Sequence, residues 1–183
     1  MRIIVGMTGA SGAVFGVELL RRCPGEKFLI LTKWGRYVLK EETGLTEHHL
    51  AEYVKRTFSD EDLSAPFSSG SNPFDALVIL PCSASTMSKI ACGIADTLLT
   101  RAAAVALKER RKLIIGLRET PLSTIHLEQA HKLSLAGAIV MPVSPPFYHK
   151  PQSIQQMAEQ FADKVQGLLG FETALAWKPE LLE

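Results

Sequence analysis

Short, continuously apolar runs alternate with amphipathic segments along this chain, and this alternation limits its possible folds more than any other feature. Five of these runs are predicted to be strands, at residues 2–7, 27–32, 75–80, 112–117 and 138–141. A strand with one face in water alternates apolar and polar residues, whereas a strand buried on both faces is apolar throughout. The sequence therefore predicts an α/β domain in which helices cover both faces of a parallel sheet.

Helical periodicity accounts for most of the chain between these runs. A first helix follows the turn at residues 8–12, and further helices are predicted at residues 33–42, 46–57, 84–92, 97–110, 122–136 and 153–169. In the helix at 33–42, we expect Trp34, Val38 and Leu39 to face the core. Thr46 is expected to cap the next helix. The stretch at 59–73, rich in Gly, Ser and Pro, is predicted to be a loop, and Pro81 is expected to end the third strand.

Length, charge and cysteine usage exclude several classes of protein. The 183 residues suit one domain, and 20 basic against 19 acidic residues give a net charge of +1. A chain so balanced has no global reason to bind nucleic acid or an anionic membrane, and its longest apolar run, 76–82, is too short to span a bilayer. Cys23, Cys82 and Cys92 fit no disulfide or zinc pattern and are interpreted as small, buried hydrophobic residues. Three cysteines without a disulfide pattern suit a reducing compartment, so we expect a cytoplasmic protein. The start of the chain has no secretory h-region and is predicted to be the first strand.

Residues suited to ligand binding follow the predicted strands at their carboxyl ends. In an open parallel sheet, ligands bind in the crevice beyond those ends. Five segments there are rich in small, hydroxyl-bearing or charged residues: 8–12, 32–33, 81–86, 118–119 and 142–149. Small hydroxyl residues at three strand ends predict that the functional site lies at this edge of the sheet.

Two of these segments have the composition of an anion cradle. The turn after the first strand is G-x-x-G-x-x-G at residues 6–12, and a helix start there would offer free N–H groups to a phosphate. It is neither a Walker A loop nor a dinucleotide fingerprint, because the second strand is followed by Thr32 and Lys33 where an acid would bind a ribose. Residues 81–86 repeat the hydroxyl chemistry. A tight turn without ligand and a plain serine N-cap are the alternatives, but the repetition favours a phosphate or flavin site.

Charged residues complete the candidate site. Arg101 and Lys108 are seven residues apart on one predicted helix, so they face one side and could bind a phosphate, although a solvated or salt-bridged face is the ordinary interpretation. Arg118 and Glu119 end an apolar strand, where a charged pair is costly unless it faces a site or a partner. Glu119 is an acid/base candidate, and an ion pair with Arg118 is the alternative. The five histidines are not spaced as metal ligands, so no metal site is predicted.

Taken together, these residues resemble the flavin prenyltransferases of the UbiX type, within the wider class of FMN-dependent Cys decarboxylases. Short motifs in the family's order carry the resemblance: residues 7–12 (MTGASG), 81–83 (PCS) with Thr86, 101–109 (RAAAVALKE), 118–121 (RETP), 125–128 (IHLE) and 147–151 (FYHKP). The wider class shares the fold but uses a different substrate clamp, which this sequence lacks.

The resemblance implies a fold, a reaction and partners. It implies one Rossmann-like or flavodoxin-like three-layer domain at residues 1–170, followed by a tail at 171–183. FMN is the implied cofactor, and in its reduced form it accepts a dimethylallyl group from dimethylallyl phosphate at N5 and then C6, without a metal. The implied assembly is a homo-oligomer built from trimers, up to a dodecamer, with sites between subunits. A UbiD-type decarboxylase of ubiquinone biosynthesis or aromatic acid metabolism would receive the prenylated FMN.

By position, the resemblance also assigns roles to residues of this chain. The implied FMN contacts are Gly9, Ala10, Ser11, Thr32, Ser83, Ala84, Ser85, Thr86 and Arg118. The implied allyl phosphate site is Arg101, Lys108, Tyr148 and Lys164. Catalytic roles fall on Ser11, Glu42, Arg101, Lys108 and Glu119.

Two departures from the family pattern and one tail residue complete this set. The family commonly has an arginine where Lys164 stands, and lysine keeps the charge but loses the bidentate fork. Thr32 replaces the more usual serine and keeps the hydroxyl. Trp177, in the tail, is expected to pack on a neighbour or close over the site.

Two other functions stay open on the sequence. A direct FMN-dependent aromatic acid decarboxylase would need a catalytic histidine on the flavin face, and the pattern places none there. A non-catalytic FMN-binding subunit of a decarboxylase complex would keep the cradle but would not need Arg101, Lys108 or Glu119.

Overall fold

Six parallel strands form one sheet in the computed structural model, which describes residues 1–173. The strands are β1 (Arg2–Met7), β2 (Glu26–Leu31), β3 (Arg56–Ser59), β4 (Ala76–Cys82), β5 (Lys112–Leu117) and β6 (Ile139–Pro142). They lie in the order β3-β2-β1-β4-β5-β6, and every neighbouring pair is parallel. The predicted α/β fold with a parallel sheet is confirmed, and this strand order is that of a Rossmann-like domain.

Seven α-helices occur within the described residues, and most match the predicted segments to within a few residues. They are α1 (Ala13–Arg22), α2 (Lys33–Thr43), α3 (Glu47–Leu50), α4 (Ala84–Ala91), α5 (Leu98–Lys108), α6 (Thr124–Leu135) and α7 (Ile154–Leu169). The predicted loop at 59–73 begins at the last residue of β3, Ser59, and is otherwise irregular except for a short 3₁₀ turn, Pro66–Ser68.

Two apolar clusters, one on each face of the sheet, form the core. On one face, Val17 of α1, Leu39 of α2 and Phe161 of α7 belong to the same cluster. The other cluster joins residues of α4, α5 and α6. Successive residues of β1, such as Ile3 and Ile4, belong to opposite clusters, which explains why the strands are apolar throughout.

The helix predicted at residues 46–57 is wrong beyond Leu50. Thr46 begins α3 with a capping box to His49, as expected of a cap. The chain then makes a 3₁₀ turn at Ala51–Tyr53 and continues as the edge strand β3, which pairs with β2. Pairing with a neighbouring strand outweighs the local periodicity here, because an amphipathic pattern only a few residues long fits either structure.

Pro81 does not end the third strand. β4 continues to Cys82, and its register with β5 shifts between Ile79 and Cys82. Proline lacks an N–H group, and an irregularity in the ladder is a place where that donor is not needed. The Pro81 carbonyl remains a useful acceptor, and the Thr8 hydroxyl, just after the neighbouring strand β1, donates to it.

Two burial predictions are also wrong. Trp34, expected to face the core with Val38 and Leu39, has 63% of its surface exposed, because the second position of α2 lies at the carboxyl edge of the sheet. Cys92 is exposed as well, because it follows the last residue of α4. Burial of Cys23 and Cys82 is confirmed, and it raises the pKa of these thiols to about 11 and about 12.

The boundary after residue 170 stays a prediction. Helix α7 ends at Leu169 with Gly170 in the left-handed conformation. Trp177 lies outside the described residues, so its predicted contacts are not addressed by the structure. None of the described helices has the length and apolar character needed to cross a bilayer.

Candidate functional site

The carboxyl ends of β1 and β4 are joined by the side chain of Thr8. Its hydroxyl donates to the Pro81 carbonyl at 3.0 Å and accepts from the Ser83 N–H at 2.8 Å, while its own N–H donates to Pro81 at 3.1 Å. From β1 the chain continues to β2 and β3 on one side of β1, and it then crosses to β4, β5 and β6 on the other side. The strand order therefore reverses between β1 and β4, and their carboxyl ends form the topological switch point. Ligands bind at such points in open α/β sheets.

A cavity of about 260 Å³ opens at this switch point, and we call it the hydroxyl cavity. Seven hydroxyl side chains line it: Thr8, Thr32, Ser83, Ser85, Thr86, Thr97 and Thr100. The structure thus brings together small hydroxyl residues from the ends of β1, β2 and β4, as the sequence predicted for this edge.

Three helices begin at the hydroxyl cavity, and a hydroxyl caps each of them. Thr32 accepts from the Gly35 N–H at 2.9 Å at the start of α2. Ser83 caps α4 and Thr97 caps α5 in the same way. A helix N-terminus carries about half a positive charge, so three of them favour an anion in this cavity. The N-cap interpretation of Ser83 is therefore correct, and it is compatible with a ligand site.

The hydroxyls at the start of α4 form a connected group. The Ser83 oxygen lies 3.2 Å from that of Ser85 and 3.0 Å from that of Thr86. A hydroxyl can rotate to donate or accept, so this group can present donors to phosphate oxygens or acceptors to a sugar alcohol. The neighbouring Ala84 is buried, so only its backbone is offered to a ligand.

Gly9 packs against the protein as well as lining the cavity. A Cβ atom at this position would lie 2.5 Å from the Cβ of Trp34, too close for any side chain. The exposed indole of Trp34 therefore stands directly beside the turn and forms part of the cavity wall. Ala10, the next residue, is buried.

The start of α1 is occupied by a carboxylate of the protein itself. The N–H groups of Gly12 and Ala13 both donate to the Glu42 carboxylate at 2.8 Å. The expectation that these N–H groups are free to bind a phosphate is wrong. A local anion already satisfies them, as an N-terminal carboxylate does in a capped helix.

Glu42 also connects two other predicted residues, Ser11 and Arg118. Partial burial raises the pKa of Glu42, but the Ser11 hydroxyl, the N–H groups of Ala13 and Gly12 and the charge of Arg118 together hold it below its ordinary value. Arg118 follows β5, and its N–H donates to the Cys82 carbonyl at 3.0 Å. The structure thus groups Ser11, Glu42 and Arg118 at the carboxyl edge of the sheet.

Glu119, beside Arg118, is exposed and accepts from the N–H of Thr120 at 3.0 Å. The alternative of an Arg118–Glu119 ion pair is not observed among the ion pairs of residues 1–173. Its carboxylate is therefore available at the end of β5.

Arg101 and Lys108 lie on the side of α5 that faces the loop at 68–70, away from the hydroxyl cavity. Arg101 Nε donates to the Ser68 carbonyl at 2.9 Å, and Lys108 pairs with Glu109. At 1.5 Å per residue, Lys108 lies about 16 Å along the helix from Thr97, at the opposite edge of the sheet. Within one chain, the two cations do not converge on the hydroxyl groups.

Tyr148 and Lys164 lie together in a second cavity of about 440 Å³, between α7 and the segment after β6. The Tyr148 ring packs against His149 with centroids 4.2 Å apart. His149 Nε2 and Gln160 Oε1, which also belong to this cavity, are buried without hydrogen-bond partners. The predicted phosphate ligands thus occupy two regions of the chain, both separate from the hydroxyl cavity.

Several cavity residues were not predicted from the sequence. Asp60 follows β3, the strand that the sequence did not reveal, and Thr97 and Thr100 form a capping box at α5. Lys89 lies one helical turn after Thr86, a spacing that signals a shared face. Within residues 1–173, no three His, Cys, Asp or Glu side chains come together in an arrangement that could hold a metal ion.

Comparison with known proteins gives a consistent result. The sequence model of the family described as Flavoprotein matches residues 1–169. A flavin prenyltransferase UbiX of Thermoplasma acidophilum is 46% identical over 171 residues, which cover 93% of this chain and 95% of that protein. A second, from Methanothermobacter thermautotrophicus, is 44% identical over 94% of this chain and 92% of its own.

Solved structures agree with the sequence relatives. A dodecameric FMN-dependent Ubix-like decarboxylase from Escherichia coli O157:H7 superposes with a TM-score of 0.92 at 39% identity, covering 97% of this chain and 99% of its own. A structure named AnUbiX (PadA1), in complex with FMN and dimethylallyl pyrophosphate, gives a TM-score of 0.90 at 37% identity, with 97% and 98% covered.

Proposed function

This chain belongs to the flavoprotein family, among its flavin prenyltransferases, and on that premise we propose that it transfers a dimethylallyl group from dimethylallyl phosphate to reduced FMN. The observation that carries the proposal is the hydroxyl cavity, where three helix N-termini meet at the switch point of the sheet. The product is prenylated FMN, with the new group on N5 and C6.

The donor set of the hydroxyl cavity fits FMN. Hydroxyls at helix starts suit the phosphate, and the same groups can bind the hydroxyls of a ribityl chain. Thr32, Ser83, Ser85 and Thr86 would hold that part of the molecule, while the turn at 9–11 and Arg118 would hold the ring. When bound and reduced, FMN supplies the electron-rich nitrogen and carbon that take the prenyl group.

The cations assigned to the substrate would act on the leaving group. As the bond between the allyl carbon and oxygen breaks, the phosphate departs with the electron pair and gains negative charge. Arg101, Lys108 and Lys164 would stabilise that charge, and Tyr148 would donate a hydrogen bond. By analogy with a preorganised donor in other enzymes, one such group contributes about 2–4 kcal/mol to lowering the barrier.

Two acidic residues would have different roles, Glu119 as a proton acceptor and Glu42 as an ionised group that orients a hydroxyl. Glu119 is exposed at the end of β5 and would accept the proton that the flavin ring loses when the second bond forms. Glu42 would remain ionised, since its pKa is held low, and would orient the Ser11 hydroxyl towards the flavin.

The wide spacing of the proposed substrate residues supports a site shared between copies of the chain. Lys108 cannot reach the hydroxyl cavity of its own chain, so we propose a homo-oligomer in which a neighbouring copy supplies it. Large apolar side chains cover the outer surface of α6 and the segment around β6 and α7: Ile125, Leu135, Phe147 and Ile154 are each at least 63% exposed. A surface of this kind is typical of an interface.

The product and location extend the proposal. A UbiD-type decarboxylase would receive the prenylated FMN. Unpaired cysteines, of which Cys92 is exposed, suit a reducing compartment, so we place the protein in the cytoplasm.

The decisive experiment incubates purified protein anaerobically with reduced FMN and dimethylallyl phosphate and then measures the mass of the released flavin. We expect a flavin that is heavier by one prenyl group. Glu119→Gln is the matched variant, and it should bind FMN but form little product. If the wild-type protein binds FMN yet the flavin mass never changes, the proposed transfer is wrong.

Direct decarboxylation is the second candidate, because the Escherichia coli structure is named a decarboxylase. Among the described residues that line the hydroxyl cavity, none is a histidine, the base that such chemistry was expected to need. Release of CO₂ from an aromatic acid by the FMN-loaded protein alone would favour this candidate over prenyl transfer.

A further inference from the structure

Lys89 is a charged residue of the hydroxyl cavity to which the proposed reaction assigns no role. It lies on α4, one turn after Thr86, so both side chains point to the same side of the helix. Lys89, Ser85 and Thr86 all line this cavity.

The charge balance of the cavity depends on this lysine. Of the described residues that line it, Lys89 carries a positive charge and Asp60 a negative one. Asp60 is held in place because its carboxylate accepts from the Leu99 N–H at 2.8 Å and its carbonyl from the Leu98 N–H at 2.8 Å. Without Lys89, the fixed Asp60 carboxylate would repel a phosphate in this cavity, and only the partial positive charge of the helix N-termini would compensate for that repulsion.

Lys89 forms an exposed ion pair with Asp96, and this ion pair is weak enough to be exchanged. Its ammonium group lies 2.7 Å from Asp96, and the two side chains are 42% and 50% exposed. An ion pair so accessible to water contributes little net free energy. A phosphate dianion bound among hydroxyls and helix N-termini would attract the lysine more strongly.

We propose that Lys89 exchanges Asp96 for the phosphate of FMN and thereby makes the site select FMN over riboflavin. This inference rests on the proposed function, because it takes FMN as the ligand of the hydroxyl cavity. The lysine is a binding residue and takes no part in the transfer of the prenyl group. Side chains of a helix lean towards the preceding turn, so a change of rotamer can carry the Lys89 ammonium group from Asp96 towards Ser85 and Thr86.

The test compares the affinities of two flavins that differ by one phosphate. Flavin-free full-length protein is titrated with FMN and with riboflavin, and binding is followed by quenching of flavin fluorescence. For Lys89→Gln we expect the dissociation constant for FMN to rise about tenfold or more, as for loss of a hydrogen bond to a charged group. The constant for riboflavin should change less than twofold. Lys132→Gln, an exposed lysine of α6, is the matched control and should leave both constants unchanged.

The ionic-strength dependence of binding and the variant Lys89→Arg provide two further tests of the charge contact. Binding of FMN by the wild-type protein should weaken with ionic strength more steeply than binding by Lys89→Gln, because one charge contact is lost. Lys89→Arg should retain the preference for FMN. An equal loss of affinity for both flavins, or no loss for FMN, would overturn the inference.

The two proposals fail in different ways. If the wild-type protein binds FMN and Lys89→Gln binds it equally well, the role of Lys89 is refuted while prenyl transfer stands. If the wild-type protein selects FMN through Lys89 but yields no prenylated flavin, only the proposed reaction fails. If the wild-type protein binds neither flavin, both are refuted.

Discussion

At the scale of single residues, the Glu42 carboxylate is an anion of the protein itself that accepts hydrogen bonds from the N–H groups at the start of α1. Its pKa is held below the ordinary value, so the folded chain binds this proton less readily than the unfolded chain does. The stability it contributes is therefore complete above the ordinary glutamate pKa of about 4.3, and it is lost as the pH falls below that value.

This linkage predicts the effect of Glu42→Gln on acid unfolding. Between neutral pH and about pH 3, the variant should lose less stability than the wild-type protein, because it has no carboxylate at position 42 to protonate. Urea unfolding at a series of pH values measures the difference. Glu41→Gln, which changes the adjacent exposed glutamate, should keep the wild-type acid limb. Identical acid limbs for wild type and Glu42→Gln would contradict the linkage.

At the same scale, the turn at 6–12 shows what residue types alone could predict. Its glycines signalled a close approach, which the structure contains, but the approaching group at Gly9 is Trp34. Its helix start signalled an anion, and the anion is Glu42 of the same chain. A sequence shows that a small residue or a free N–H group needs a partner, but the identity of the partner depends on residues about 25 to 30 positions away.

At the scale of single elements, helix caps serve both the fold and the site. Ser83 caps α4 from within the hydroxyl cavity, whereas Ser153 caps α7 through the Gln156 N–H at 3.1 Å, outside that cavity. The two serines do the same work for their helices, so they form a matched pair.

Replacing each serine with alanine separates the two roles. We expect Ser83→Ala and Ser153→Ala each to lower the free energy of unfolding by about 1 kcal/mol, since each removes one cap. Only Ser83→Ala should also weaken FMN binding. Chemical denaturation and flavin titration measure the two effects, and equal flavin affinities in both variants would argue against Ser83 as a ligand.

Strands and helices with strong patterns were predictable, and the exceptions have identifiable causes. The buried strands β1, β2, β4 and β5 each carry an apolar run that only a sheet covered on both faces explains. The edge strand β3 has four residues and one buried side chain, Phe58, so its pattern was too short to detect. That omission also concealed Asp60, which enters the cavity from the end of the same strand.

For the whole molecule, one chain presents the proposed site in separate parts. The residues proposed to hold the flavin lie at the carboxyl edge of the sheet, while Lys108 lies about 16 Å from Thr97 along α5. The resemblance implies one reaction with sites between subunits, but no pattern in the sequence shows which parts of a site one copy holds and which parts a neighbour would supply. That distinction depends on the shape of the outer surface, which no local pattern encodes.

Because α5 carries its cation to the far edge of the sheet, two inactive proteins should repair each other. Lys108→Gln would spoil the site of a neighbour, whereas Glu119→Gln would spoil its own. The two variants are refolded together in equal amounts. About a quarter of the sites would then combine Glu119 from a Lys108→Gln chain with Lys108 from a neighbouring Glu119→Gln chain, and prenyl transfer should reappear. Each variant refolded alone would stay silent, and a silent mixture would mean that every chain works by itself.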